Sequence, residues 1–167
     1  MSMLNDPSMK EIIIDFCKEA EDLFDQLEQS LEILEGDPTN TAQLEQFGQV
    51  IDRIMGAAKS IGASEIATFC ELGKTIGYKS SQINDIPLIE VVVAILFDTL
   101  HLLRKMITAL KVGNDSSMAN LNTKAFVTRL TWLSAKFKDI ERSSVAIDKK
   151  GNLSQGSIDE LMKSLGL

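Results

Sequence analysis

The sequence predicts an all-α protein: an antiparallel four-helix bundle with a fifth packed helix and a C-terminal peptide helix. Three observations predict it. Apolar residues recur at spacings of three and four through five long segments, the period of a helix buried on one face. Glycine and proline mark the breaks between those segments, at Gly36-Asp37-Pro38, Gly62, Pro87 and Gly113. No strand-like alternation of useful length interrupts them. Composition agrees, since 44% of residues are hydrophobic but only 5% aromatic, a Leu, Ile, Ala and Val mix that suits helix packing. A chain of 167 residues can enclose one core and still carry an appendage.

The first helix is expected over about 8–34, with Phe16, Ala20, Leu23, Leu27, Leu31 and Leu34 on its buried stripe. Gly36-Asp37-Pro38 ends it, because proline cannot continue a helix and disfavours helical geometry in the residue before it. Thr39 or Thr41 can cap a second helix over 41–60, whose stripe is Leu44, Phe47, Ile51, Ile54 and Ala58. Gly62 breaks it, and Ser64 is expected to cap a third helix to Gly77, with Ile66, Phe69 and Ile76 inward. A polar loop over 78–87 closes on Pro87. The fourth helix, 88–111, is the most apolar, through Val92, Leu96, Leu100, Leu103, Ile107 and Leu110. A turn at Gly113-Asn114-Asp115 leads to a fifth helix over 118–142, carrying Phe126, Leu130, Leu133 and Phe137. Short connections make the long helices antiparallel neighbours. The expected organisation is a four-helix bundle over 1–112, an additional helix over 113–142, a flexible linker over 143–152 and a tail over 153–167.

A net charge of -7 argues against nucleic acid or an anionic membrane as partner. The sequence shows no signal peptide, and its longest apolar candidate, 89–97, is interrupted by Glu90 and Asp98, so no membrane-spanning segment is expected. Cys17 and Cys70 sit among apolar neighbours and read as buried thiols rather than a disulfide. One histidine in the chain gives no basis for a metal site. These features together point to the cytoplasm.

The tail reads LSQGSIDELMKSLGL. Ser157 can cap a helix, with Glu160 three residues on completing a capping box. Ile158, Leu161, Met162 and Leu165 then share one face. A short amphipathic helix on a leash is marginal alone in water, and its usual purpose is to enter a groove on a partner. The alternatives are a frayed end, or a helix folded back on its own domain. Ser154-Gln155, Ile158-Asp159, Leu161 and the Ser164-Leu165-Gly166 ending resemble the C-terminal receiver-binding peptide of the CheZ family of chemotaxis phosphatases. They are also similar to the SQxxID segment with which the FliM family of flagellar switch proteins captures phosphorylated CheY. The resemblance implies a tail that binds CheY-like receivers through Ser154, Gln155, Ile158, Asp159, Leu161, Met162 and Leu165.

On helix two, the face opposite the apolar stripe carries Glu45, Gln49, Asp52, Gly56 and Lys59 at spacings of four, three, four and three, one solvent-facing line. Glycine inside a helix costs about 1 kcal/mol relative to alanine, so Gly56 suggests a close approach by something else. Asp52-Arg53-Ile54-Met55-Gly56, with Gly62 at the following glycine offset, resembles the H-x-x-K-G-x-x-x-x-x-G signature of the histidine-containing phosphotransfer (HPt) domain of CheA-type kinases. Phe16, Glu19-Ala20, Leu23, Leu27 and Leu31 echo that family's first helix, and the resemblance covers about 10–140. The departure is that Asp52 stands where the family has its phosphoacceptor histidine, and Met55 where it has lysine. An exposed aspartate lacks the imidazole nucleophile, so no phosphorelay is expected through position 52. What the resemblance still implies is the receiver-docking face, with Arg53, Gly56 and Lys59.

His101, the only histidine, is followed by Leu-Leu-Arg-Lys with no glycine one turn on, and is expected to pack against the fifth helix rather than to serve as a relocated phosphoacceptor. A further resemblance lies in Glu45-Gln46-Phe47-Gly48-Gln49-Val50-Ile51, which is similar to the catalytic segment of the CheZ family, where an acid precedes a glutamine by four positions in a G-Q-V-I run; here glutamate replaces the usual aspartate. It implies that Gln49 holds the water that attacks a receiver's aspartyl phosphate, while Glu45 or Asp52 pairs with a receiver lysine. Acid-x-x-x-Gln is a common pattern, and Asp25 with Gln29 is a second instance. The implied protein needs no cofactor of its own, the Mg2+ belonging to the partner receiver, and is a monomer or a dimer. The alternatives are a non-catalytic adaptor making the same contacts, and a phosphorelay protein using His101.

Overall fold

The computed structural model describes residues 2–113, 121–143 and 155–167. Six α-helices follow two short 3-10 turns: α1 (Lys10–Gly36), α2 (Ala42–Ser60), α3 (Ser64–Ser81), α4 (Ile86–Lys111), α5 (Lys124–Ser143) and α6 (Gln155–Ser164). Helices α1 to α4 form the bundle: α1 packs on α2 and α4, and α3 packs on α2 and α4. Helix α5 lies against α4, and α6 lies against α3 and α5. The core closes within one chain, and every residue expected on an apolar stripe of α1 to α5 is buried.

The tightest approach is between α2 and α3, and glycine permits it. A Cβ on Gly73 would stand 2.8 Å from the Cδ1 of Ile51 in α2 and 3.4 Å from the Cγ2 of Thr99 in α4. One turn on, Gly77 faces the carbonyl of Leu44 and the ring of Phe47, each 3.8 Å from such a Cβ. The α2–α3 turn is fixed as well. Gly62 takes φ +77°, the Ala63 amide donates to the Ala58 carbonyl at 2.9 Å, and the Gly62 amide donates to the Lys59 carbonyl at 3.1 Å. Together these bonds form a Schellman motif, which closes α2 and sets the angle at which α3 leaves.

Some boundaries differ from expectation. Ser64 is not a cap: it lies inside α3, and neither Thr41 nor Ala63 makes a side-chain capping bond. Thr39 instead bonds the Asp37 carboxylate. Helix α3 runs on to Ser81, so the 78–87 loop shrinks to a few residues, and α4 begins at Ile86 with Pro87 in its first turn. Proline is tolerated there because that amide has no partner inside the helix. The cap the sequence reading missed is Asp85, whose carboxylate accepts from the Leu88 amide at 3.1 Å. Helix α5 begins at Lys124 rather than 118; positions 114–120, including Asn114 and Asp115, lie outside the described residues, as do 144–152 of the expected linker.

By length and composition α4 could cross a membrane, with a mean hydropathy of 2.1 in its most apolar window, contrary to the reading from the 89–97 run. Yet 56% of that window is buried, because α4 supplies the bundle's central core strip and its faces meet α1, α3 and α5. Both cysteines are buried and unpaired, and burial pushes the Cys17 thiol up to about 11 and raises that of Cys70 further.

Candidate functional site

Helix α2 has two distinct faces. Leu44, Phe47, Ile51, Ile54 and Ala58 point into the core, while Glu45, Gln49, Asp52, Gly56 and Lys59 are all exposed, as their spacing predicts. Glu45 in the first turn and Lys59 in the last complement the helix dipole. Where α2 meets α3, a shallow recess of about 320 Å³ is lined by Glu45, Gly48, Gln49 and Asp52 from α2 and by Lys74, Tyr78 and Ser81 from α3. The structure therefore brings Glu45, Gln49 and Asp52 together at one recess.

Lys74 and Tyr78 are the residues the sequence reading missed. Lys74 Nζ lies 2.7 Å from Asp52 Oδ1. Both side chains are near half exposed, so the pair contributes at most about 1 kcal/mol, but it orients the carboxylate toward α3. Arg53, on the other side, donates to Glu19 of α1 at 2.8 Å. Asp52 and Arg53 are thus engaged within the fold. Glu45 and Gln49 are different: among the described residues neither side chain has a hydrogen bond or ion pair, and both are exposed. In the Asp25/Gln29 pair the acid is committed elsewhere, since Asp25 takes a bond from Arg104 at 3.2 Å.

Gly56 has nothing within 4 Å of where a Cβ would stand, so the fold itself does not require glycine there. The Gly56→Ala variant is expected to be more stable by about 0.5–1 kcal/mol, from the relative helix propensities. Thermal melts check this, and a destabilised variant would show that the fold does require glycine at position 56.

His101 is exposed, contrary to the expected packing on the fifth helix. The α5 side of α4 is taken by Asp98, which pairs with Arg129, and the α1 side by Arg104, which bonds Asp25 and Glu28; His101 projects between them into solvent. Arg104, one turn on, is consequently held by two carboxylates.

The tail is where structure and expectation part most clearly. Helix α6 is seated on α3 and α5, with Ile158 1% and Leu165 6% exposed and Leu161 and Met162 half-buried. The apolar face expected to be free for a partner is occupied within the chain. Met162 Sδ lies 3.8 Å from the Ser134 hydroxyl, and Asp159 lies 3.7 Å from Lys138 Nζ, both on α5. The side of α3 turned away from α2 is covered too: Thr75, about 200° round from Gly73, is 1% exposed. Helix α6 begins at Gln155, so Ser157 lies inside it rather than capping it; Ser154 and the side chains of Gln155 and Ser157 lie outside the described residues. The Ser164-Leu165-Gly166 ending has a local structural role. Gly166 takes φ +75°, its amide donates to the Lys163 carbonyl, and the Leu167 amide donates to the Met162 carbonyl, a second Schellman closure.

The docking of α6 is close to balanced. Two buried and three half-buried apolar side chains contribute about 5–10 kcal/mol. Ordering ten helical residues costs about 10–20 kcal/mol, offset in part by about 0.5–1.5 kcal/mol for each of the helix's own hydrogen bonds. The exposed Lys138–Asp159 pair adds little.

Among the described residues no group of three His, Cys, Asp or Glu side chains is placed to hold a metal ion. Among curated proteins and among solved structures, no match was found. One family model matches, that of the Hpt domain, over residues 11–113, which spans α1 to α4 and leaves α5 and α6 outside. The match covers more than half of the chain and coincides with the closed bundle, so this protein belongs to the Hpt domain family, the phosphotransfer family of two-component signalling whose members interact with response-regulator receiver domains.

Proposed function

We propose that this chain is a pseudo-phosphotransfer protein of chemotaxis-type signalling, which binds phosphorylated CheY-like receivers and promotes their dephosphorylation through Gln49. The observation that carries the reading is the pairing on α2. Among the described residues Glu45 and Gln49 sit side by side at a recess, exposed and without side-chain partners, on a helix inside the span that matches the Hpt family. Core packing does not account for either residue, and Asp52 in the phosphoacceptor position offers no imidazole for phosphotransfer.

The proposed chemistry uses this arrangement as follows. The Gln49 amide orients a water in line with the acyl phosphate of the receiver. The water oxygen forms a bond to phosphorus as the bond from phosphorus to the aspartyl oxygen breaks, releasing inorganic phosphate and restoring the receiver's carboxylate. Both of the water's protons leave with the phosphate. Charge on the phosphoryl group is handled by the receiver's own Mg2+ and lysine. Glu45 pairs with that lysine and fixes the approach. It is better suited than Asp52, whose carboxylate already holds Lys74. Such positioning accounts for a rate factor of about a hundred. The reading places the protein in the cytoplasm, where receivers act, as a monomer whose core needs no second chain.

The test is phosphate release from a pre-phosphorylated CheY-type receiver, with the wild-type protein and with Gln49→Ala. Release is expected to accelerate, and the variant to lose about a hundred-fold of the acceleration while still binding. A wild-type protein that binds the receiver without accelerating release would be an adaptor, and the phosphatase reading would be wrong.

A further inference from the structure

Helix α6 lies outside the span that matches the family, yet it is docked on that family's bundle. We propose that α6 is a latch: seated between α3 and α5 it is unavailable to a receiver, and receiver binding by the tail requires its release. This rests on the reading of the tail as a receiver-binding peptide.

The argument is one of shared residues. Ile158, Leu161, Met162 and Leu165 form the single apolar face of α6, and a helix of ten residues has no second one. A partner's groove would need that face, and α3 and α5 already hold it. Asp159, one of the tail's recognition residues, lies beside Lys138 on the same dock. The two engagements therefore exclude each other. Among the described residues the dock is small: two buried and three half-buried apolar side chains, an exposed ion pair and a hydroxyl–sulfur contact. A closed state so nearly balanced by its ordering entropy opens at small cost, which a latch requires. The tail's apparent dissociation constant then equals its intrinsic value divided by the fraction of molecules that are open.

The experiment uses the full-length chain, a CheY-type receiver activated with beryllofluoride, and the double variant Ser134→Arg/Lys138→Glu. These changes push Met162 away and set a carboxylate against Asp159, while leaving the tail and the α2 face untouched. Amide hydrogen exchange reports whether α6 is docked, and titration reports affinity. In the wild type, α6 amides are expected to be protected; in the double variant the protection is lost and the receiver binds about ten-fold tighter. Deletion of 153–167 should bind more weakly than either. Lost protection with unchanged affinity, where the deletion still weakens binding, would keep the tail reading and overturn the latch. A deletion without effect on affinity would overturn the tail reading itself, and the latch with it. Protection that survives in the double variant would make α6 a permanent part of the fold, and the latch would again be wrong.

Discussion

Phe47→Ala is expected to lower the stability of this protein by about 3–5 kcal/mol, the range for removing a buried aromatic ring. Phe47 is fully buried on α2, and its ring lies beside Gly77, where α2 and α3 run closest. Those two helices make the densest interface of the bundle. The glycines that allow it leave little side-chain volume of their own, so a cavity at position 47 has few neighbours able to collapse into it. In urea, where small domains unfold with slopes of about 1–3 kcal/mol per molar, the midpoint should fall by roughly 2 M. Gln49→Ala, two residues away on the opposite face, should stay within about 0.5 kcal/mol of wild type, as exposed substitutions do. A large loss of stability from Gln49→Ala, or a small one from Phe47→Ala, would mean that the two faces of α2 are not separate in role.

That separation is why so much of the fold was legible in the sequence. Leu, Ile and Phe at helical spacing have one low-energy place to go, and the stripes of α1 to α5 went there. The solvent-facing line of α2 was legible for the same reason, since the rule that buries Phe47 and Ile51 exposes Glu45, Gln49 and Asp52. The parts that were not legible depend on contacts between helices distant in sequence. Nothing near Asp52 announces Lys74, because the pairing exists only once Gly73 and Gly77 have brought α3 against α2. Asp85 could have been found: an acid just before Ile-Pro-Leu is a recognisable helix start. The fate of the tail could not. An amphipathic face specifies that something will cover it, and sequence periodicity does not distinguish a groove on a partner from the groove between α3 and α5.

The Lys74–Asp52 pair gives the α2 face a test through gain of function. Asp52→His combined with Met55→Lys installs the H-x-x-K-G pattern that this segment resembles, at a position whose side chain is already exposed. Lys74 would then stand beside an imidazole rather than a carboxylate. Its positive charge disfavours the imidazolium, keeping the nucleophile neutral, and attracts the incoming phosphoryl group. The expected result is that the double variant accepts phosphoryl from a phosphorylated receiver, the histidine nitrogen bonding phosphorus as the bond to the receiver's aspartyl oxygen breaks, whereas the wild-type protein accepts none at position 52. Retention of radiolabel under base and its loss in acid, the behaviour of a phosphohistidine, measures the transfer directly. The change runs from no label to a substantial fraction of the chain, the largest difference any substitution on this face should produce. If the variant binds the receiver but takes no label, the face is not held in a geometry that serves phosphoryl chemistry, and the alignment of Asp52 with the phosphoacceptor position loses its support. If the wild type is labelled, the site to examine is His101, exposed on α4.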